Sequence, residues 1–353
     1  MKHLLWLTMS AVATSFFMGT MAIAADISLK IGSGHPTTGF AYVMAADEYF
    51  VPEVIRRVKE KGYNIRFVKV WAGGAVKVDE IVEAVKFGTL DIGVSVPSFE
   101  PSRAPLLNVA FSVPFVSTDP ILTQKVAARL LKEVPALQDS MKPYNIRILQ
   151  MSVQEPYGVI SAKEWSTLEQ AKGRKIGVAA SNSALYSAAG TTPVIVPAPD
   201  AYMAIKTGLI DGQVFFASGL EAFRLHEVAK YFINTGQGSY LGNAMYMNMD
   251  TRNRLPKEVV EIIDQVAEET SVKIAEISAQ RAAEAEAKAV THGVKVITLD
   301  EEQRRKWMEA AKPIAVAAAK EAEGKGLNGR DVFSAYVRFM REAGYTFPVD
   351  YQF

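Results

Sequence analysis

Glu83–Val94 reads E-A-V-K-F-G-T-L-D-I-G-V, and Met203–Val214 reads M-A-I-K-T-G-L-I-D-G-Q-V. Ala84 and Ala204, Lys86 and Lys206, Gly88 and Gly208, Asp91 and Asp211, and Val94 and Val214 coincide without a gap. Each copy describes the same local event. A helix with Ala and Val or Ile on its buried side stops at a glycine, which takes the left-handed conformation at a helix end without a Cβ penalty. A turn holding an aspartate follows, and a strand begins. Another strand lies upstream, Ile65–Val70 (I-R-F-V-K-V) in one case and Pro193–Val196 (P-V-I-V) in the other. One strand–helix–strand unit is common in α/β proteins. Two in matching contexts predict two α/β lobes rather than one sheet. Two lobes leave a cleft between them, and a cleft is where a small molecule binds.

The ends and the composition set the compartment and narrow the function. Leu4 to Ala24 is uncharged and closes on Ala22-Ile23-Ala24, a small–x–small cleavage pattern. The rival reading is a membrane anchor of roughly 20 apolar residues. The Ser and Thr content, a glycine near the end and the lack of a basic flank favour removal of residues 1–24 as a signal peptide. The mature chain is thereby expected in the periplasm, free of the membrane. It holds about 330 residues, a length that usually divides into two domains. With 49% hydrophobic residues it can bury a sizeable core. The chain has no cysteine, which excludes disulfides, thiolate catalysis and cysteine-bound metal centres. Basic and acidic residues number 39 and 38 with no long basic run, so nucleic acid is a poor partner.

Along the chain, Ile27–Gly32 alternates like a first strand. A helix is expected over Phe40–Lys61, bent or restarted by Pro52. Asn145–Met151 reads as a strand long enough to cross between lobes, and Gly158–Ser161 as another. Phe215–Phe232 reads as mostly helical, and Ala244–Met249 as a strand returning to the first lobe. Pro256–Thr291 is the longest helix, with proline in its first turn and Gly293 just past its end. Asp300 with Gln303 resembles a capping box. The expected lobes are 25–149 plus 242–290, and 150–241 plus 291–353.

No catalytic motif is present: no G-x-S-x-G elbow, no phosphate loop, no H-E-x-x-H helix. The four histidines, His3, His35, His226 and His292, lie in different elements, which argues against a histidine-built metal or acid–base site. No cofactor is called for. What remains is a ligand site built from loops. His35 and Thr38 lie in the turn-rich segment before the first helix. Trp71 opens W-A-G-G, a turn whose amides are expected to face a ligand. Ser95 and Ser98 follow the first repeat strand, and Gln154, Glu155 and Tyr157 lie where the chain crosses the cleft. Gly177 lies in the strand Arg174–Val178 (R-K-I-G-V), aimed at the cleft, and Asn182 follows it. Phe215 and Phe216 stand at the place equivalent to Ser95, one expected inward and one outward. Glu221 lies on the next helix. The rival class is a periplasmic enzyme using Glu155 or Glu221 as a lone acid or base.

These residues resemble a known family. Val70–Gly93 (V-W-A-G-G-A-V-K-V-D-E-I-V-E-A-V-K-F-G-T-L-D-I-G) is similar to a signature stretch of solute-binding proteins of tripartite ATP-independent periplasmic (TRAP) transporters, dicarboxylate-binding type. So are Pro114-Phe115, G-R-K-I-x-V at Gly173–Val178, Y-M-A-I-K-T-G-L-I-D-G-Q at Tyr202–Gln213, and E-V-A-K-Y ending at Tyr231. The resemblance runs from Ile27 to about Ala267. It implies a two-lobed periplasmic binding protein fold with a long helix spanning both lobes. It also implies a receptor that closes on one small organic solute and delivers it to TRAP-type membrane permease subunits; a monomer is expected. A ligand-presenting subunit for a membrane sensor shares that fold.

The departures concern the ligand. Where the family usually carries an arginine in K-I-R-V, this chain has Gly177; a second frequent arginine is Gly158, and a frequent asparagine is Phe215. Such arginines pair with a substrate carboxylate, and burying a carboxylate without them costs several kcal/mol. The expectation is a neutral, aromatic or weakly polar solute, with a cationic amine next. The alternative is a carboxylate held by Arg103, Lys175 or Arg224.

Overall fold

The computed structural model describes residues 26–353; the segment read as a signal peptide lies outside the described residues. The strands, numbered in chain order, fall into two sheets. The first contains β1 (Asp26–Gly32), β2 (Asn64–Val70), β3 (Ile92–Ser95), β4 (Ile146–Pro156) and β10 (Ser239–Asn248), in the order β2-β1-β3-β10-β4. The second contains β5 (Gly158–Ser161), β6 (Lys175–Val178), β7 (Thr192–Ile195), β8 (Gly212–Phe215), β9 (Tyr231–Asn234) and β11 (Lys295–Thr298), in the order β11-β9-β5-β8-β6-β7.

The near-repeat is a repeat in space. β2-β1-β3 is all parallel, and so is β7-β6-β8; each trio is flanked by an antiparallel strand, β10 or β5. The repeat helices, Ile81–Lys86 and Ala201–Lys206, end as their sequence requires. Gly88 has φ 71° and Gly208 φ 74°. Leu90 N–H then donates to Ala84 O at 3.0 Å and Ile210 N–H to Ala204 O at 3.2 Å, closing both helices the same way.

β4 runs through Tyr157 into β5, so one continuous path leaves the first sheet and enters the second. The return runs from β9 through Thr235–Gly238 into β10. The two crossings are bonded to each other: Tyr157 N–H donates to Gly238 O at 3.0 Å, and Thr235 Oγ1 donates to Tyr157 O at 3.3 Å. The Pro114–Ser117 loop braces the return crossing, with Val116 N–H on Gln237 O (3.0 Å) and Ser117 O accepting from Ser239 N–H (2.8 Å). The last residues grip that loop in turn. Tyr345 OH donates to Phe115 O at 2.6 Å and Tyr351 OH to Pro114 O at 3.3 Å.

The longest helix spans Lys257–Thr291, with Val259, Ile263, Val266 and Ile274 buried as expected and Ile277 only half-buried. Its first half is fixed beside the first sheet, where Glu269 receives Arg57 at 2.8 and 2.6 Å and Tyr49 at 3.0 Å. Its second half meets the second sheet, where Glu286 accepts from Asn234 of β9 at 2.9 Å. Asp300 caps the following helix by accepting from Gln303 N–H at 2.8 Å. Its partner does not complete the box, because the Gln303 side chain accepts from Leu168 N–H instead.

One sequence expectation holds and one is corrected. The helix does restart at Pro52: a π-helical turn, Ala46–Phe50, precedes Val51–Glu60, and Pro52 sits in the first turn of that second segment. Phe215–Phe232 is not mostly helical. It begins in β8, makes one turn at Gly219–Ala222, and ends inside β9. Arg224 at φ 54° breaks the helix, and Phe232, which mimics helical spacing, pairs within the sheet.

Candidate binding cleft

A buried cavity lies between the sheets, beyond the carboxyl ends of β3, β6, β7 and β8, the usual place for a ligand in α/β sheets. Each wall follows from the chain leaving a strand. The first sheet supplies His35 and Phe40 after β1 and Val96, Ser98 and Phe99 after β3. The second supplies Asn182 after β6, Val196 and Ala198 after β7, and Gln213, Phe215 and Phe216 from β8; Gln154 and Tyr157 come from the crossing. The walls are mainly rings. His35 stacks on Phe40 at 4.1 Å, Phe215 lies tilted against Phe216 at 4.0 Å, and Tyr157 meets Phe216 at 5.5 Å. Phe40 touches Phe215 and Phe223 across the cleft, and Ser181 Oγ bridges to Ser98 O (3.2 Å) and Asn108 Oδ1 (2.9 Å). The free volume is about 30 Å³, enough for one or two water-sized groups.

Its polar groups are uncharged. Burial pushes the His35 imidazole down to about 4, so it is neutral near pH 7. Its Nδ1 pairs with Tyr42 OH while Nε2 has no partner. Asn182 Oδ1 and Gln213 Oε1 are likewise buried and unpaired. Gln154 is satisfied by Asn243 Oδ1 (2.8 Å) and by the Tyr157 hydroxyl, and fits only because Gly242 has no side chain.

A second pocket of about 250 Å³ adjoins the first, lined by Thr38, Ser218, Glu221, Arg281, Glu284, Lys288 and His292 among others. Glu155 is buried beside it. Burial raises its carboxyl to about 7, against the opposing pull of Ser218 and Arg281, whose Nη1 stands 3.9 Å away. Among the described residues no group of three or more His, Asp or Glu is placed to hold a metal.

The cleft thus gathers His35, Ser98, Gln154, Tyr157, Asn182, Phe215 and Phe216 around one cavity, and Thr38 and Glu221 around its neighbour. Both phenylalanines line the cavity, because Phe216 lies just past the end of β8, where strand alternation no longer applies. Three candidates stand elsewhere. Ser95 is turned to the buried carboxylate of Glu100, and Trp71 donates to Asp47 at 3.0 Å. The W-A-G-G amides do not face a ligand: Ala72 N–H is taken by His35 O (3.0 Å) and Gly73 N–H by Ser33 O (3.4 Å). Gly177 is covered by Gln213. Sequence reasoning missed Phe40, Gln213 and Arg281. The first two had a signal, Phe40 as the helix start and Gln213 as the only polar replacement of a repeat glycine, Gly93.

Over residues 64–321 the sequence matches the bacterial extracellular solute-binding proteins, family 7. The chain belongs to that family. As a family-7 protein it is similar to a solute-binding protein of Albidiferax ferrireducens, 23% identical over 314 residues that cover 87% of this chain and 91% of that protein. It is 27% identical over 263 residues to the ectoine/5-hydroxyectoine-binding periplasmic protein UehA of Ruegeria pomeroyi, covering 71% of this chain and 74% of the other. Its fold is that of two-lobed TRAP solute-binding proteins. A marine metagenome member, specific for aromatic acid ligands and solved with metahydroxyphenylacetate, superposes with a TM-score of 0.78 at 20% identity, covering 90% of this chain and all of that one. Among the described residues no helix of this family-7 protein is long and apolar enough to cross a membrane.

Proposed function

We propose that this chain is a non-enzymatic, monomeric receptor that acts outside the cytoplasmic membrane. It binds one small solute between its lobes and hands it to a TRAP-type permease. The lobes are taken as 25–149 plus 242–290, and 150–241 plus 291–353. The solute is neutral or weakly polar and carries a ring, which enters only when the lobes part, because the cavity as it stands holds about 30 Å³. One observation carries this: the cavity is walled by aromatic side chains and neutral polar groups, with no charged side chain in its lining. A side chain at Gly158 would run into Phe232 and the Ile233 carbonyl, so that position has no room for an arginine. Family membership supplies the receptor role, and the aromatic-acid-specific neighbour supports a ring-bearing ligand.

A thermal-shift screen tests the ligand class, since a ligand at about 100 times its Kd adds roughly 2.7 kcal/mol of stability. Neutral ring compounds should stabilise the protein and be recovered unchanged. A converted product would make the protein an enzyme, and stabilisation by carboxylates alone would reverse the ligand class.

A second reading has its own observation. Arg281 is half-buried beside the cleft and only loosely paired with Glu155 at 3.9 Å. Arg103 and Arg224 are instead tied to Glu83 and Glu227 at 2.9 and 2.6 Å. In this reading the solute is an aromatic acid whose carboxylate reaches Arg281. Arg281→Gln would then abolish acid binding, and unchanged acid affinity in that variant excludes it.

A further inference from the structure

Gly177 of β6 and Gln213 of β8 are register partners on adjacent parallel strands. The amide head of Gln213 lies in the space a side chain at 177 would occupy: a Cβ there would stand 2.0 Å from Gln213 Oε1 and 3.0 Å from its Cδ. The orientation of that amide is fixed by chemistry. Its Nε2 donates to Val196 O at 3.2 Å, so the oxygen is the atom left over. That oxygen is buried, unpaired and part of a residue lining the cavity with Phe215 and Phe216. Asn182 Oδ1, equally buried and unpaired, lines the same cavity. A carbonyl oxygen without a donor is costly when buried, and a site that offers one discriminates strongly for ligands that satisfy it.

We propose that Gln213, held over Gly177, is the specificity-determining residue of the cleft, selecting ring compounds that donate an O–H or N–H to its Oε1. A carboxylate or an ether placed there meets an acceptor with an acceptor. The inference rests on the cleft being a ring-binding site, and it holds for a neutral solute and for an aromatic acid anchored at Arg281 alike, because it concerns the other end of the molecule.

The test uses two matched pairs, phenol with fluorobenzene and 3-hydroxyphenylacetate with 3-fluorophenylacetate, each pair differing only in the donor. Affinities are measured by calorimetry or thermal shift on the wild type, Gln213→Met and Gly177→Ala. Gln213→Met removes the acceptor. Gly177→Ala leaves Gln213 in the chain but pushes its amide away, and serves if the methionine variant folds poorly. The wild type should prefer the hydroxyl member of at least one pair by about tenfold, and both variants should bind the two members within about twofold. Equal affinities in the wild type overturn the proposal, as does a preference that survives in both variants. If rings bind without discrimination, only the role of Gln213 fails. If no ring compound of either pair binds, the ring-binding reading fails and takes this one with it.

Discussion

Asp211 holds Lys175 by two bonds: its carboxylate accepts from the Lys175 N–H at 2.9 Å, and its own N–H donates to the Lys175 carbonyl at 2.7 Å. Asp91 holds Lys30 in the same way, at 2.7 and 2.9 Å. The aspartate of each repeat therefore fastens the start of one parallel strand to its neighbour. Asp211→Ala should destabilise the fold by about 1–3 kcal/mol. Asp91→Ala should cost more, because Thr251 and Arg254 also donate to that carboxylate, at 2.5 and 2.8 Å. Chemical denaturation of both variants checks the ranking; a larger loss at Asp211 would contradict it.

Gly88→Val and Gly208→Val isolate backbone strain. A Cβ at either site meets nothing within 4 Å, so no clash enters, only a branched residue forced to positive φ. Each should lower stability by roughly 1–3 kcal/mol with ligand preference unaltered. Melting temperatures equal to wild type would show that these helix ends adapt.

Gly158 and Gly177 are expected to respond differently to alanine. At Gly158 the new methyl meets the Ile233 carbonyl at 2.6 Å and the Phe232 ring at 2.5 Å. Backbone cannot step aside, so the loss should reach about 2–4 kcal/mol. At Gly177 the obstacles are the ends of the Gln213 and Ile210 side chains, which can swing. There the loss should stay near 1 kcal/mol. Denaturation midpoints of the pair decide the matter, and equal losses would count against this account.

Glu155 sets a pH dependence. Its native carboxyl sits at about 7 because it is buried, while an exposed glutamate titrates near 4.3. Between those values the native state keeps a proton that the unfolded chain has released, so stability falls as pH rises through the window. Glu155→Gln cannot titrate. Its stability relative to wild type should therefore climb from pH 5 to pH 8, by up to about 3 kcal/mol. His35 and Glu100 titrate in both proteins and cancel from the difference. A flat difference across that range would place the Glu155 carboxyl near its ordinary value.

The architecture was legible because it is written twice. Glycine at a helix end and aspartate before a strand have local causes, so Gly88, Asp91, Gly208 and Asp211 could be read without knowing what lay beside them. The site was legible only in part. Tyr157 and Gln154 followed from the crossing strand, but Trp71 and Ser95 turned to Asp47 and Glu100, partners far enough away in sequence or direction that no periodicity names them. Gln213 escaped for the same reason. Its meaning depends on Gly177 standing in register on the next strand, and register between separate strands is settled by packing. β9 was lost because a short strand with apolar residues at helical spacing imitates the end of a helix.

The brace on the return crossing has a consequence for the order of folding. Residues 114–117, 235–239 and 345–351 come together at one point, and the tyrosine hydroxyls that complete it belong to the last stretch of the chain. Contacts between such distant segments carry the largest loop-closure cost and form late. Both sheets can thus be built while the angle between them is still unset. The tail is then expected to set the final pitch of the two sheets: a chain shortened by its final ten residues should keep its secondary structure by far-UV circular dichroism while losing a defined gape by small-angle scattering, and an unchanged scattering profile would contradict this.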